Sequence, residues 1–93
     1  MLRIAICDDE KRCLADIKRM LESWSAASSS HLEIDCFDNG DSLIRESSTA
    51  RYDIIFLDII MPLLNGMDTA KELRDRDKTV KIIFLTSSPE FAL

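Results

Sequence analysis

Short apolar runs alternate with helix-like patterns along the chain. A continuous apolar run predicts a strand that is buried on both faces, because a half-exposed strand would alternate apolar and polar side chains. Residues 32–37 do alternate with a period of two, and they therefore predict a half-exposed strand at an edge of the sheet. The predicted strands, in chain order, are residues 4–7, 32–37, 54–57 and 82–85.

The segments between these strands have the three- and four-residue spacing of amphipathic helices. The first helix is predicted to begin at Glu10 and to end before a small, polar loop at residues 25–30. Its apolar stripe consists of Cys13, Leu14, Ile17, Leu21 and Trp24. A short second helix passes through Leu43 and Ile44, and the inner face of the third carries Met67, Ala70 and Leu73. Residues 88–90 have the N-cap and proline pattern of a further helix start.

Strands that alternate with helices predict right-handed crossovers and an α/β fold with a doubly wound parallel sheet. The 93 residues are enough for one domain. Ligands of such sheets bind beyond the carboxyl ends of the strands. Three predicted strands end in reactive side chains, namely Asp8 and Asp9 after the first, Asp58 after the third and Thr86 after the fourth.

Carboxylates that converge at one sheet edge repel each other. Two unit charges about 4 Å apart repel by about 4 kcal/mol at the dielectric of a protein surface. A hard divalent cation would relieve this repulsion, and oxygen ligands favour Mg²⁺ or Mn²⁺. Asp58 could itself act as a nucleophile and form an aspartyl phosphate, with the Thr86 hydroxyl near the phosphoryl oxygens. Taken alone, Asp8 and Asp9 could instead favour a helix N-terminus through capping.

Charge and composition exclude several classes of function. A net charge of −5 without a basic stripe argues against direct nucleic-acid binding by this segment. The apolar runs are too short to cross a bilayer, and the start of the chain does not resemble a signal peptide, so a cytoplasmic location is expected. Cys7, Cys13 and Cys36 lack metal-ligand spacing and are predicted to be buried, reduced thiols. The single histidine, His31, lies in a loop far from every strand end.

Four linked motifs resemble the receiver domain of bacterial two-component response regulators. They are Ile-Cys-Asp-Asp-Glu at 6–10, Phe-Leu-Asp-Ile-Ile-Met-Pro at 56–62, Asn-Gly at 65–66 and Phe-Leu-Thr-Ser at 84–87. Together they follow the family order over the whole chain. The resemblance implies a flavodoxin-like, CheY-like sheet of order 2-1-3-4, with the family's fifth strand missing.

The resemblance also implies a role for each site residue. Asp58 matches the phosphoacceptor, which takes a phosphoryl group from a sensor histidine kinase in the presence of Mg²⁺. Asp9 and Asp58 match the metal-binding carboxylates, and Asp8 matches an acidic partner that acts through metal-bound water. Ile60 matches the position whose backbone carbonyl binds the metal. Thr86 matches the hydroxyl residue that turns toward the phosphoryl group.

In one respect the chain departs from the family pattern. Receivers carry a phosphate-contacting lysine at the end of a fifth strand, and this chain ends at Leu93 before such a strand. Lys78 and Lys81 precede the fourth strand and match no such position. Residues 1–93 are therefore expected to form a receiver domain that is incomplete at its C-terminus and lacks its output domain. The motif style is most similar to receivers that are attached to LytTR-type DNA-binding domains.

An incomplete receiver would expose its fourth strand, so self-association through residues 82–85 is expected. DNA would be contacted only through the absent output domain. We expect a phosphorylation switch rather than an enzyme, since receivers at most catalyse their own phosphorylation and dephosphorylation. One alternative is a degenerate or truncated receiver that acts as a protein-binding or dimerisation module. The other is an aspartate-nucleophile phosphohydrolase, which would need a second acid where this chain has Ile60.

Overall fold

The computed structural model describes residues 1–85, and Thr86 and the predicted helix start at 88–90 lie outside the described residues. Strands and helices alternate throughout this part of the chain. In order, the elements are β1 (Leu2–Cys7), α1 (Lys11–Ser28), β2 (Leu32–Phe37), α2 (Gly40–Ser47), β3 (Ile54–Asp58), α3 (Gly66–Arg76) and β4 (Lys81–Leu85).

The four strands form one parallel sheet in the order β2-β1-β3-β4. The predicted α/β class and strand order are thus confirmed, including the edge position of the alternating strand β2. Residues 4–7 of the central strand β1 are all buried, as their continuous apolar pattern predicted. The carboxyl ends of β1 and β3 lie side by side, because Ile6 pairs with Phe56 and Cys7 with Leu57.

The main core lies between the sheet and the helices α2 and α3. Its central side chains alternate along β1 and β3, since every second residue of a strand faces the same side. Leu43 of α2, Leu57 of β3 and Leu73 of α3 belong to this core, and all are at most 3% exposed. The opposite sheet face packs against α1 over β1 and β2.

The first helix is longer than predicted and packs less deeply. It continues to Ser28, whose hydroxyl donates a hydrogen bond to the Trp24 carbonyl at 2.8 Å, and it ends where Ser29 adopts a left-handed φ of 57°. The loop prediction for residues 25–28 was therefore wrong, because the Ser28 hydroxyl bonds back onto the helix rather than breaking it. Trp24 is half-exposed, and no residue of α1 is fully buried.

The inner face of α3 is rotated from the predicted one. Met67 is 48% exposed, whereas Thr69 is completely buried beside Ala70 and Leu73. The helix begins at Gly66, which packs directly against the end of β3, and this contact fixes which side of the helix faces the sheet. The predicted burial of Met67 was therefore wrong.

The three cysteines have different environments. Cys7 is buried in β1, Cys13 is half-buried on α1 and Cys36 is exposed on the edge strand β2. The prediction of a buried thiol is confirmed for Cys7 and is wrong for Cys36, because an edge strand lacks a neighbour that would cover it. Within residues 1–85, none of the helices combines the length and the apolar character that a membrane span requires.

Candidate functional site

Three carboxylates meet at the carboxyl edge of the sheet. Asp8 and Asp9 follow β1, and Asp58 is the last residue of β3. One carboxylate oxygen from each residue can be chosen such that all three lie within 4.8 Å of one another. Asp8 and Asp58 are buried, whereas Asp9 is exposed. The structure thus brings together the three acidic residues that the sequence placed at strand ends.

These carboxylates open into a cleft of about 320 Å³. Ile60 lies on one side of the cleft, and its main-chain N–H donates a hydrogen bond to Asp58 Oδ1 at 3.2 Å. Four further residues line the cleft without having been predicted from sequence as site residues, namely Glu10, Cys13, Asp16 and Ile17. Their helical spacing just after the acidic motif was a signal that could have identified this wall of the cleft.

The surroundings of Asp58 stabilise the ionised form of its carboxyl group poorly. Burial and then repulsion from Asp8 raise its pKa to about 6, and the hydrogen bond from the Ile60 N–H only partly opposes this change. Among the described residues, no positively charged side chain forms a salt bridge with Asp58 that would lower this pKa. A cation bound at this site would supply the missing positive charge.

Asp8 is buried like Asp58, but a shorter hydrogen bond stabilises its ionised form. Burial raises its pKa, while a hydrogen bond from the Glu10 N–H to Asp8 Oδ1 at 2.9 Å lowers it. The N-cap of α1 is Glu10, whose side chain makes no capping hydrogen bond. Neither Asp8 nor Asp9 is therefore the N-cap residue of α1, although Asp8 accepts a hydrogen bond from the N–H of that residue.

The loop between β3 and α3 is closed at its base. The Gly66 N–H donates to the Ile59 carbonyl at 2.9 Å, and Asn65 caps α3 by accepting a hydrogen bond from the Asp68 N–H at 3.0 Å. A Cβ atom on Gly66 would overlap the Asp58 carbonyl oxygen and approach the Ile59 Cα to 2.7 Å. Asn65-Gly66 is thus a helix cap and a close backbone contact rather than an ordinary turn.

The positions of the remaining predicted residues are partly defined. Thr86 lies outside the described residues, but the preceding residue, Leu85, pairs with Asp58 in the sheet. Lys81 pairs with Ile54 at the opposite end of β3, so it lies far from the carboxylate cluster. The interpretation that Lys81 cannot contact a group on Asp58 agrees with this register.

The donor set fits a hard divalent cation. Its available side-chain ligands are carboxylate oxygens, and Mg²⁺ prefers oxygen ligands and keeps several of its own waters. Asp8, Asp9 and Asp58 would hold the ion together with the backbone carbonyl of Ile60. The raised pKa of Asp58 supports this fit, because a bound cation would stabilise the ionised carboxylate.

Comparison with known proteins places these features in a family. Residues 4–92 match the response regulator receiver domain. The transcriptional regulatory protein ResD of Bacillus subtilis is 34% identical over 90 residues, which are 97% of this chain and 35% of ResD. The chain thus spans about a third of the length of this curated relative.

Solved structures show the same fold. The response regulator TrrA of Thermotoga maritima in complex with Mg²⁺-BeF has a TM-score of 0.85 and 33% identity, covering 98% of this chain and 74% of TrrA. TrrA in complex with the histidine kinase ThkA gives a TM-score of 0.83 and 32% identity over 100% of this chain and 75% of the matched chain. The carboxylate cluster, the sheet order and these matches agree, and the chain belongs to the response regulator receiver domain family.

Proposed function

We propose that this protein is a phosphorylation-dependent switch in which Asp58 accepts a phosphoryl group from a sensor histidine kinase. The observation that carries the proposal is the convergence of Asp8, Asp9 and Asp58 within 4.8 Å at the end of the sheet. Receiver domains are signalling switches, and the related TrrA has been captured both with Mg²⁺-BeF and with a histidine kinase. We place the protein in the cytoplasm, where such a kinase domain would meet it.

In the proposed reaction, a carboxylate oxygen of Asp58 attacks phosphorus. The new P–O bond forms as the bond from phosphorus to the donor's imidazole nitrogen breaks, and that nitrogen retains the electron pair. Bound Mg²⁺, or Mn²⁺ in its place, would neutralise charge on the phosphoryl oxygens. Asp8 and Asp9 hold their carboxylates beside Asp58 at the open cleft, and the Ile60 N–H orients Asp58 Oδ1.

Thr86 is proposed to respond to the phosphoryl group. The support for this proposal is that Thr86 directly follows Leu85, which pairs with Asp58 in the sheet. The response would then pass to an output domain, and the transcriptional regulators among the relatives suggest that this output binds DNA. The LytTR type remains the prediction for that domain.

A small phosphodonor tests the proposed reaction directly. We expect the protein, incubated with acetyl phosphate and Mg²⁺, to gain one phosphoryl group by intact mass spectrometry, because the cleft provides both the nucleophile and the cation ligands. The matched control replaces Mg²⁺ by EDTA and should show no gain. An unchanged mass in Mg²⁺ would contradict phosphotransfer and would favour the protein-binding module instead.

Self-association through β4 is a second proposal. Within residues 1–85 β4 pairs only with β3, and its Ile83 and Phe84 are 45% and 41% exposed. An apolar edge strand offers unpaired backbone groups to a second copy. We expect dimers by light scattering at high micromolar concentration, and we expect Ile83→Lys to shift them toward monomers.

Met20→Lys is the control for this experiment, since Met20 is 71% exposed on α1, away from β4. It introduces the same charge and should leave the dimer fraction unchanged. A monomeric wild type at the highest concentration, or equal dimer fractions in both variants, would rule out β4 as the interface.

A further inference from the structure

Two sulfur atoms are in contact between the two segments that carry Asp8 and Ile60. The Cys7 thiol donates to the Met61 thioether, with Sγ and Sδ 3.8 Å apart. Cys7 is completely buried and Met61 is 7% exposed.

Each sulfur residue is the chain neighbour of a site residue. Cys7 immediately precedes Asp8 at the end of β1, and Met61 immediately follows Ile60 in the loop after β3. The contact therefore joins two segments that are 54 residues apart in sequence and that approach each other at the site. A shift of Met61 would move the backbone of Ile60 relative to Asp8.

Two apolar side chains of the loop between β3 and α3, Met61 and Leu64, pack against the rest of the domain. From Ile59 to Asn65, Met61 is the one residue that is buried, and Ile60, Pro62 and Leu63 are exposed. The Gly66 N–H donates a hydrogen bond to the Ile59 carbonyl, which joins the two ends of the loop. Leu64 is half-buried and lies beside Gly40 of α2, whereas the Met61 side chain contacts Cys7 and so attaches the loop to β1.

We infer that Met61 is a positioning residue, which sets the distance between the Ile60 carbonyl and the carboxylates of Asp8 and Asp9 by anchoring the loop on Cys7. This inference rests on the proposed metal site. Methionine suits such a role, because its flexible, polarisable side chain fills irregular space and can accept a weak hydrogen bond from a thiol. Residues behind metal ligands commonly control affinity through the geometry that they impose.

The experiment measures Mg²⁺ affinity of the whole chain by isothermal calorimetry, together with urea unfolding. We expect Met61→Ala to weaken Mg²⁺ binding about tenfold, the lower end of the range for residues that support metal ligands. Cys7→Ala removes the other half of the contact and should weaken binding in the same direction. It also keeps the inference testable if Met61→Ala does not fold.

Three further variants separate positioning from simple packing. Leu73→Ala creates a cavity in the core on α3, at a residue that does not line the cleft, so it should lower the urea midpoint and leave Mg²⁺ affinity within about twofold. Met67→Ala removes a methionine that is 48% exposed and should change neither quantity. Met61→Leu keeps most of the side-chain volume and should restore most of the affinity.

The outcomes are distinguishable. Wild-type Mg²⁺ affinity in Met61→Ala or in Cys7→Ala, despite lower stability, would overturn the positioning role and leave the proposed function intact. Weakening of equal size in Leu73→Ala would also overturn it, because general destabilisation would then explain the effect. A wild type that binds no Mg²⁺ would refute the proposed metal site and this inference together.

Discussion

Replacement of Asp58 by asparagine is expected to abolish phosphoryl incorporation while making the metal-free protein more stable at neutral pH. The amide keeps the size of the side chain but is not a nucleophile, so acetyl phosphate should no longer change the mass. The stability gain has a separate cause. Burial and the repulsion from Asp8 disfavour the ionised carboxylate, and asparagine carries no charge to be disfavoured.

The direction of the pH effect follows from the raised pKa. The Asp58 carboxyl titrates near 6 in the folded protein and near its ordinary value of 3.8 in the unfolded chain. Its favourable contribution to folding is therefore fully present below pH 3.8, and it is lost as the pH rises through about 6. Metal-free wild type should lose stability over this interval, and Asp58→Asn should lose less.

The shift from 3.8 to about 6 sets an upper limit of about 3 kcal/mol, and solvent in the open cleft reduces the expected gain at neutral pH to about 1–2 kcal/mol. Urea unfolding in EDTA across this pH range measures it. Asp75→Asn, an exposed charge change on α3, is the matched control and should have little effect. Equal stability of wild type and Asp58→Asn at every pH would show that the Asp58 charge is already compensated.

Gly66→Ala is expected to cause a large loss of stability. The new Cβ would overlap the Asp58 carbonyl oxygen and lie 2.8 Å from the Asp58 carbonyl carbon, and backbone cannot rotate away as a side chain can. We expect a loss of about 3 kcal/mol or more, at the upper end for overpacked sites. Mg²⁺ binding should weaken as well, because the displaced segment carries Asp58 itself.

Gly40→Ala is a closely matched control. Gly40 also begins a helix directly after an asparagine N-cap, so the two substitutions have the same local helix context. Its Cβ would meet the Thr69 hydroxyl and, at 3.3 Å, the Leu64 side chain, so the closest clashes involve side-chain rather than main-chain atoms. Urea unfolding should therefore show a smaller loss for Gly40→Ala, and a Gly66→Ala variant as stable as wild type would contradict the close-packing explanation.

Prediction from sequence was most accurate where the local pattern has one physical meaning. The continuous apolar runs correctly predicted the largely buried strands β1 and β3, and the alternation of residues 32–37 correctly predicted the edge strand β2, whereas the equally apolar β4 is partly exposed. Prediction was less accurate where neighbours decide burial. Met67 and Thr69 are both compatible with the inner face of α3, and only the contact of Gly66 with β3 rotates Thr69 inward.

For the site, too, prediction succeeded where the order of elements was sufficient and failed where tertiary packing was decisive. The acidic residues could be predicted to converge, because parallel strands place their carboxyl ends at one edge and the register then brings Asp58 beside the segment after β1. The wall formed by Glu10 and Cys13 was not predicted, since it depends on how α1 lies across the sheet. The contact between Cys7 and Met61 joins residues 54 positions apart, which no local pattern records.

Sequence by itself therefore determined the element types, the α/β class and the identity of the three carboxylates, because each follows from side-chain periodicity and from the position of polar residues at strand ends. Tertiary structure alone decided the electrostatic state of Asp58 and the attachment of the loop that follows it. Both depend on distances between segments far apart in the chain, and burial beside Asp8 raises the Asp58 pKa only when those segments are packed together.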